Sequence, residues 1–384
     1  MTTGLIDVPA GLNGVAVTST EIGDVRGTEG FFHYRQYDAV ALAEQRSFED
    51  VWHLIARGTL PDPTTAADFR EEVARRATLP DEMAAIVTTV ASARPSPLDG
   101  LRTVLSLSAP VLELRPLVDT TPDERADQAL SMCALVPVVA AALSRAGRGL
   151  SPVGAPPEGL GVAASYLFQA TGEVPAPEVA RALEQYLILT IDHGFNASTF
   201  TARVVASTGA DLAAVVTAAM GALSGPLHGG APSRALDALD AIGDPSNAAA
   251  WVEQEVASGR RIMGFGHAVY RTADPRSRLL RQVAEELGGP LVTRAEAVEI
   301  EIERTLDRLK PGRPLATNVE YYAGVVMERC GLPRDLFTPT FAISRTIGWC
   351  AHALEQAAER KLIRPSCHYV GPQPNAPVPP AVAA

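Results

Sequence analysis

Cysteine, aromatic residues and positive charge are all scarce in this chain of 384 residues. The four cysteines show no CxxC spacing, so the sequence predicts neither a zinc site nor a disulfide framework but thiols in a reducing cytosol. Aromatic residues make up 5%, and 33 Lys+Arg against 44 Asp+Glu give a net charge of −11. This balance disfavours nucleic acid or an anionic membrane as the main partner. An anionic small substrate would need a local cluster of arginines.

Long apolar runs and a secretory leader are also missing from the pattern. The N-terminus has no basic segment followed by an apolar one. The most apolar stretch, residues 129–143, is short for a bilayer span and contains Pro137, so it is expected to be a buried core helix. With 47% hydrophobic and 20% charged residues, the chain reads as globular, and we expect a cytoplasmic protein without a membrane partner.

The hydrophobic spacing is helical over most of the chain. Strand signals are confined to residues 14–38, where β-branched and aromatic residues alternate with turn residues. Helix caps are predicted at Ser47, at Thr293 with Glu296 three residues later, and at Asn318. The sequence therefore predicts a mainly α protein with a small N-terminal strand region.

The stretch Gly264-Phe265-Gly266-His267 indicates a loop that carries a histidine, because two glycines permit backbone conformations closed to other residues. Asp274 is a good N-cap and Pro275 a good first helical residue, which puts Arg276 in the first turn of a helix. A loop histidine beside an arginine at a helix N-terminus can bind a carboxylate. An ordinary glycine-rich turn with solvated side chains is the alternative.

Four other residues stand out. His193 and His228, like His267, follow a helix end or lie beside glycines, and loops on a rigid scaffold often carry reactive groups. Glu320 lies in the first turn after Asn318, where the helix dipole favours an ionised carboxylate that suits a base or merely stabilises the helix. Arg345 lies in an almost wholly apolar helix with no acidic residue within four positions. A structural ion pair or an anionic ligand would offset the cost of burying it.

Several stretches occur in the order found in one enzyme family. They are SFEDVWHLIARGTLP at 47–61, DHGFNASTFTARVVAS at 192–207, PLHGGA at 226–231, GFGHAVY at 264–270, DPR at 274–276, NVEYYAG at 318–324, FAISRTIGW at 341–349 and IRP at 363–365. The sequence thereby resembles citrate synthase from about residue 14 to 371. The resemblance implies a two-domain helical fold and a homodimer. Residues 1–228 and 336–384 would form the large, dimerising domain, and 229–335 the small domain that closes over the substrates.

The same resemblance implies the condensation of acetyl-CoA with oxaloacetate and hydrolysis of citryl-CoA. His228 would donate a hydrogen bond to the thioester oxygen as the enol forms, and Glu320 would remove a methyl proton. His267 would polarise and protonate the ketone of oxaloacetate. No metal and no cofactor is implied beyond the coenzyme A thioester that serves as substrate.

Substrate binding is implied for a second set of residues. His193, Arg276 and Arg345 would hold the carboxylates of oxaloacetate, and Arg364 matches an arginine that the family contributes across the dimer interface. Arginine suits this task because its guanidinium is permanently charged and can bind a carboxylate through two hydrogen bonds.

The sequence also departs from the family pattern. Glu320 stands where the family usually has aspartate, Pro232 follows HGGA where asparagine is usual, and Tyr34-Arg35-Gln36-Tyr37 replaces YRGY. Two alternatives therefore stay open beside a citrate synthase. One is a 2-methylcitrate synthase that uses propionyl-CoA, since one methyl group changes binding by only about 1–3 kcal/mol. The other is a catalytically weak homologue that binds the dicarboxylate or CoA. A histidine metalloprotein is poorly supported, because His193, His228 and His267 lack short ligand spacing.

Overall fold

The computed structural model describes residues 4–225, 228, 232–267, 269–270, 272–312 and 315–372, with only the backbone for 232–234. Three strands precede the helices: β1 (Gly23–Arg26), β2 (Phe31–Tyr34) and β3 (Tyr37–Asp38). The helices of the first half are α1 (Ala39–Gln45), α2 (Phe48–Arg57), α3 (Pro63–Arg76), α4 (Asp81–Ser92), α5 (Pro97–Leu105), α6 (Ser108–Val111), α7 (Pro122–Gly147), α8 (Val162–Thr171) and α9 (Pro177–Thr190). Those of the second half are α10 (Ala197–Ser207), α11 (Leu212–Leu223), α12 (Pro232–Ile242), α13 (Ala248–Ala257), α14 (Pro275–Leu287), α15 (Pro290–Leu309), α16 (Val319–Arg329) and α17 (Phe337–Glu359).

The strands form a small antiparallel sheet in the order β1-β2-β3, in which Gly23 lies opposite Tyr34. The Tyr34 hydroxyl donates to the carbonyl of Ile188 at 2.8 Å and lies 3.2 Å from the carbonyl of Asp192. The sheet is thereby fixed to the C-terminal end of α9. The predicted class, a mainly α fold with a small N-terminal strand region, is confirmed.

Helix starts follow local side-chain chemistry at three predicted caps. The side chains of Ser47, Asp274 and Asn318 accept hydrogen bonds from backbone N–H groups of the first turns of α2, α14 and α16. The cap predicted at Thr293 is wrong, because α15 already begins at Pro290, whose ring fixes φ near the helical value. Thr293 therefore lies inside the first turns of α15.

The core is built around α7 and α17, which pack against each other. Within the described part of the chain, α7 is the one helix long and apolar enough for a membrane span by length and composition. Of its most apolar window, 78% is buried inside the protein, so α7 packs as a core helix. In α17 the side chain of Trp349 is fully buried.

The helices between α12 and α16 pack largely against one another: α14 and α12 each contact α16, and α13 contacts α15. Two of them, α14 and α16, also pack against α9. The division into residues 1–228 with 336–384 and 229–335 stays a prediction, and its first boundary, at Gly229, lies outside the described residues.

Candidate active site

His267 lies on a loop that is joined to the start of α16. Gly266 donates to the carbonyl of Ala316 at 2.8 Å, and the Asn318 side chain donates to the carbonyl of Gly266 at 2.8 Å. Gly264 has φ +85°, and a Cβ there would lie 3.0 Å from the ring of Tyr321, so the close approach requires glycine. The loop therefore brings His267 next to the helix that carries Glu320.

The backbone of the loop selects the tautomer of His267. Its Nδ1 accepts from the N–H groups of Val269 at 2.9 Å and Tyr270 at 3.0 Å. A neutral imidazole with Nδ1 as acceptor carries its proton on Nε2. That Nε2 lies 3.2 Å from Nη2 of Arg276, which can only donate. Two donors thus converge at one point, where an acceptor oxygen of a ligand would satisfy both.

Arg276 is held rigidly by its own helix cap. Its Nε and Nη2 lie 3.0 and 2.8 Å from the two carboxylate oxygens of Asp274, and both residues are buried. Burial alone would raise the Asp274 pKa, but the Arg276 charge and hydrogen bonds outweigh it and hold the pKa below its ordinary value. Asp274 also accepts from the backbone N–H of Val319 at 3.1 Å. One carboxylate therefore fixes the N-termini of α14 and α16 and aims the guanidinium.

His193 joins this group from the end of α9. Its Nε2 lies 3.0 Å from the hydroxyl of Tyr270, and its ring centre is 5.5 Å from that of His267 and 5.6 Å from that of Phe32. Burial, followed by the charges of Arg276 and Arg345, lowers the His193 pKa well below its usual value. His193 therefore stays neutral at pH 7.

Arg345 approaches the same region from α17. It is 2% exposed, its Nε donates to the carbonyl of Thr190 at 2.9 Å, and its guanidinium lies 4.6 Å from the ring centre of Phe341. Burial lowers its pKa, which the charge of Asp192 partly offsets. The guanidinium is thus oriented by a backbone carbonyl and an aromatic face, beside the end of α9.

His228, between α11 and α12, has the opposite tautomer to His267. Its Nε2 lies 3.2 Å from the backbone nitrogen and 2.8 Å from the hydroxyl of Ser198. Since the backbone N–H can only donate, Nε2 accepts and the proton of the neutral ring is on Nδ1. Burial and the charge of Arg345 lower the His228 pKa to about 4. Trp349 donates to the Ser198 hydroxyl at 3.1 Å and so fixes it from α17.

Glu320 lies in the first turn of α16, where its backbone nitrogen donates to the Asn318 side chain at 3.0 Å. Glu320 and the two arginines all influence the pKa of the buried Tyr186. Burial raises the Tyr186 pKa, the Glu320 carboxylate raises it further, and the charges of Arg345 and Arg276 oppose this. The Glu320 carboxylate and the two guanidiniums therefore all act electrostatically on one buried hydroxyl.

One predicted site residue, Arg364, lies on the surface and not among these buried residues. Arg364 is exposed in the segment after α17, which is held where the backbone of Ile363 donates to the Ser207 hydroxyl at 3.1 Å. In the described part of the single chain, the hydrogen bonds of the His193, His228, His267, Arg276 and Arg345 side chains do not include one to Arg364. The side chain of Pro232 lies outside the described residues. Over the same residues, no group of three or more His, Cys, Asp or Glu side chains is arranged to hold a metal ion.

Sequence reasoning missed several residues that shape this cluster. Asn196 caps α10 and so places Ser198 beside His228, and Trp349 donates to the Ser198 hydroxyl. Tyr270 contacts His193, and Asp192 accepts from the N–H of Gly194 in the same turn. The cap signal, asparagine three residues before Thr199, is visible in the sequence. The partnership of Ser198 with Trp349 joins residues 151 positions apart and has no local signal.

Comparison with known proteins places the chain. The family model "Citrate synthase, C-terminal domain" matches residues 11–366. The chain is 37% identical to citrate synthase 2 of Bacillus subtilis, over 94% of this chain and 95% of that protein. It is 38% identical to 2-methylcitrate synthase of Mycobacterium tuberculosis (strain ATCC 25618 / H37Rv), over 95% and 91%.

A solved structure agrees in fold. The citrate synthase from Thermoplasma acidophilum, solved in a ternary complex with carboxymethyl coenzyme A and oxaloacetate, superposes on this chain with a TM-score of 0.87 at 29% identity. The match covers 97% of this chain and 98% of that one. The resemblance seen in the ordered sequence stretches is thereby confirmed, and the chain belongs to the citrate synthase family.

Proposed function

We propose that this enzyme condenses acetyl-CoA with oxaloacetate and hydrolyses the resulting citryl-CoA to citrate and CoA. One observation carries the proposal beyond family membership. His228 and His267 are neutral imidazoles with opposite tautomers, each fixed by backbone N–H groups, so that Nδ1–H of one and Nε2–H of the other remain as donors. The reaction needs two such donors, one for each carbonyl oxygen that gains negative charge.

The first half of the reaction would form the nucleophile. Glu320 would take a proton from the acetyl methyl group, while His228 donates its Nδ1–H to the thioester oxygen. A proton beside a thioester is only weakly acidic, so a carboxylate can remove it only if the enolate oxygen is stabilised at the same moment. Excluding water from the site would strengthen both interactions.

The second half would join the carbons. The enol carbon attacks the ketone carbon of oxaloacetate, and His267 donates its Nε2–H to the ketone oxygen as the new bond forms. Arg276, Arg345 and His193 would bind the carboxylates. The 3.2 Å approach of His267 Nε2 to Arg276 Nη2 supports this assignment, since both can donate to oxygens of one ligand. Water then hydrolyses the citryl thioester and releases CoA.

The nearest competing function is 2-methylcitrate synthesis from propionyl-CoA, which the similarity to a 2-methylcitrate synthase favours. Parallel assays of CoA release with acetyl-CoA and propionyl-CoA, each with oxaloacetate, test both. We expect the larger kcat/KM with acetyl-CoA. A larger value with propionyl-CoA would assign the competing function. Oxaloacetate binding without CoA release from either thioester would overturn both and leave a binding homologue.

We also propose a cytoplasmic location and no resident cofactor besides the coenzyme A substrate. All four cysteines are free thiols, three of them buried, as is usual in a reducing compartment. The chemistry assigned to Glu320, His228 and His267 is acid–base catalysis, which side chains supply by themselves.

A homodimer in which Arg364 reaches the partner subunit's site completes the proposal, and it predicts complementation. Arg364→Ala chains and Glu320→Gln chains should each be nearly inactive as homodimers. Mixed dimers should regain activity, because one of their two sites would combine an intact Glu320 with the other chain's intact Arg364. The measurement is CoA release after co-refolding. Failure to regain activity, with mixed dimers verified by mass spectrometry, would contradict the crossing of Arg364.

Arg345→Ala is expected to weaken oxaloacetate binding by about 10²–10³-fold, because removing one partner of a buried charge pair costs about 2–5 kcal/mol. Calorimetric titration with oxaloacetate measures it. Arg308→Ala is the matched control, since that arginine is exposed and paired with Glu253 on the surface. Unchanged oxaloacetate affinity in Arg345→Ala would exclude Arg345 from the binding site.

The loss of activity on the acidic side of the pH profile should occur only at low pH. Burial, then the nearby arginines, lowers the pKa of both His228 and His267 to about 4, so both rings stay neutral until the pH approaches 4. In the unfolded chain these histidines become protonated near pH 6.5. Their contribution to the free energy of unfolding is therefore fully present above pH 6.5 and is lost as the pH falls through 4. Histidine-selective NMR titration measures the protonation directly. Protonation of either ring near pH 6.5 would contradict the lowered pKa.

A further inference from the structure

Three residues on one face of α17 contact the segment that ends in His193. Arg345 donates to the carbonyl of Thr190 at 2.9 Å. Gly348 packs so closely that a Cβ there would lie 2.3 Å from the carbonyl oxygen of Ile191. His352 places its Nε2 3.3 Å from Oδ1 of Asp192. Spacings of three and four residues put side chains on the same helix face. One side of α17 therefore contacts three successive residues of this segment.

The buried neighbour of His352 decides which ring nitrogen carries the proton. Nη1 of Arg203 lies 3.3 Å from Nδ1 of His352, and a guanidinium can only donate. Nδ1 therefore accepts, and Nε2–H faces the Asp192 carboxylate. Within the described residues both His352 Nε2 and Asp192 Oδ1 are buried atoms without a hydrogen bond, and they approach each other to 3.3 Å. Each atom is therefore the polar group that the other faces.

Arg203, at the other end of this series of contacts, is held by several acceptors. It is fully buried, and its guanidinium lies 2.8 Å from Glu355, 2.9 Å from Glu359 and 2.9 Å from Gln356. The N–H groups therefore all point in one direction: Arg203 donates to His352, and His352 directs its own N–H at Asp192.

Asp192 transmits this constraint to the turn that presents His193. Its Oδ2 accepts from the N–H of Gly194 at 3.1 Å, and Gly194 has φ +63°, one of several conformations open to glycine, so the hydrogen bond selects this turn. Burial alone would raise the Asp192 pKa, but His352 and Arg345 outweigh it and lower it, so the carboxylate is charged. That charge also acts on Arg345, which lies beside the same segment.

We propose that His352 and Asp192 are positioning residues for oxaloacetate binding, acting as the relay Arg203–His352–Asp192 that fixes the 192–194 turn and hence His193. The inference rests on the proposed function, because it assumes that His193 holds a carboxylate of the substrate. Neither residue is assigned a contact with the substrate or a proton transfer.

Two variants of His352 separate positioning from packing. His352→Leu removes both polar contacts, whereas His352→Gln can accept from Arg203 through its amide oxygen and donate to Asp192 through its amide nitrogen. We expect the oxaloacetate Kd of His352→Leu to rise by about 10- to 100-fold, since a buried charged acceptor loses its donor. The KM for acyl-CoA should stay within about threefold, because the proposed function assigns His193 to oxaloacetate and His228 and Glu320 to the thioester. His352→Gln should recover most of the affinity.

Hydrogen exchange provides a readout that does not depend on activity. The Gly194 amide should exchange faster in His352→Leu and in Asp192→Asn than in the unaltered protein or in His352→Gln. Unchanged oxaloacetate affinity and exchange in folded His352→Leu would overturn the proposal, as would equal losses in the leucine and glutamine variants. If His352→Leu does not fold, Asp192→Asn against His352→Gln decides. Failure of the unaltered protein to bind oxaloacetate would instead overturn the proposed function.

Discussion

Glu320→Gln is expected to lower kcat by about 10²–10⁴-fold while leaving oxaloacetate affinity nearly unchanged. The amide keeps the shape of the side chain but cannot accept the methyl proton, and a positioned general base contributes about 10²–10⁴-fold to such a step. The carboxylates of oxaloacetate are assigned to the arginines and His193, so their binding should not depend on residue 320. CoA release and calorimetric titration with oxaloacetate measure the two quantities separately.

Two further variants sharpen this prediction. Glu301→Gln is the matched control, because Glu301 pairs with Arg304 on α15 and should be replaceable without effect. Glu320→Asp restores the shorter acid that the family usually carries, and we expect it to keep activity within about tenfold, since the base retains its charge but shifts by one methylene. Residual activity of more than a tenth in Glu320→Gln would remove Glu320 from the mechanism.

His228→Ala is expected to lower kcat by about 10²–10³-fold, the usual cost of losing one donor to a developing oxyanion. Oxaloacetate affinity should again be retained, because His228 is assigned to the thioester. The most direct measurement is the exchange of deuterium from acetyl-labelled CoA thioester in the presence of a non-reacting oxaloacetate analogue. This exchange reports enol formation without the later condensation, and it should be lost in His228→Ala.

The tautomer of His228 supplies the internal control. Ser198→Ala removes the hydroxyl that lies 2.8 Å from Nε2 but keeps the backbone N–H at 3.2 Å. The backbone donor still requires Nε2 to accept, so Nδ1–H should persist and kcat should fall by about tenfold or less. A loss in Ser198→Ala as large as in His228→Ala would show that the hydroxyl, not the backbone, sets the tautomer. Exchange at the normal rate in His228→Ala would exclude the assigned role.

The parts of the candidate site that the sequence predicted are those with local causes. Asp274 and Asn318 cap helices within their own first turns, and the glycines at 264 and 266 shape the loop on which His267 lies. The anomaly at Arg345 was also visible, because a guanidinium in an apolar helix needs an orienting partner. That partner is the carbonyl of Thr190, 155 residues away, and no pattern along α17 could identify it.

Protonation states were outside the reach of the sequence. His228 and His267 are equivalent as letters, yet Ser198 holds one through Nε2 and the loop at 269–270 holds the other through Nδ1. Likewise, His352 in the final helix gave no signal in the sequence, because its importance comes from Asp192 and Arg203, which are distant along the chain. A predicted cap at Thr293 failed because Pro290 provides an earlier start.

The amino-acid sequence by itself determined the helical class, the small N-terminal sheet, the caps of α2, α14 and α16, and membership of the citrate synthase family. These follow from hydrophobic period, capping chemistry and ordered stretches, all of which act over a few residues or are read directly along the chain. Tertiary structure alone decided which nitrogen of each imidazole carries a proton, how Arg276 and Arg345 are aimed, and how α17 supports the turn at His193. Those properties depend on hydrogen bonds and burial between segments far apart in the chain, which exist only once the helices have packed.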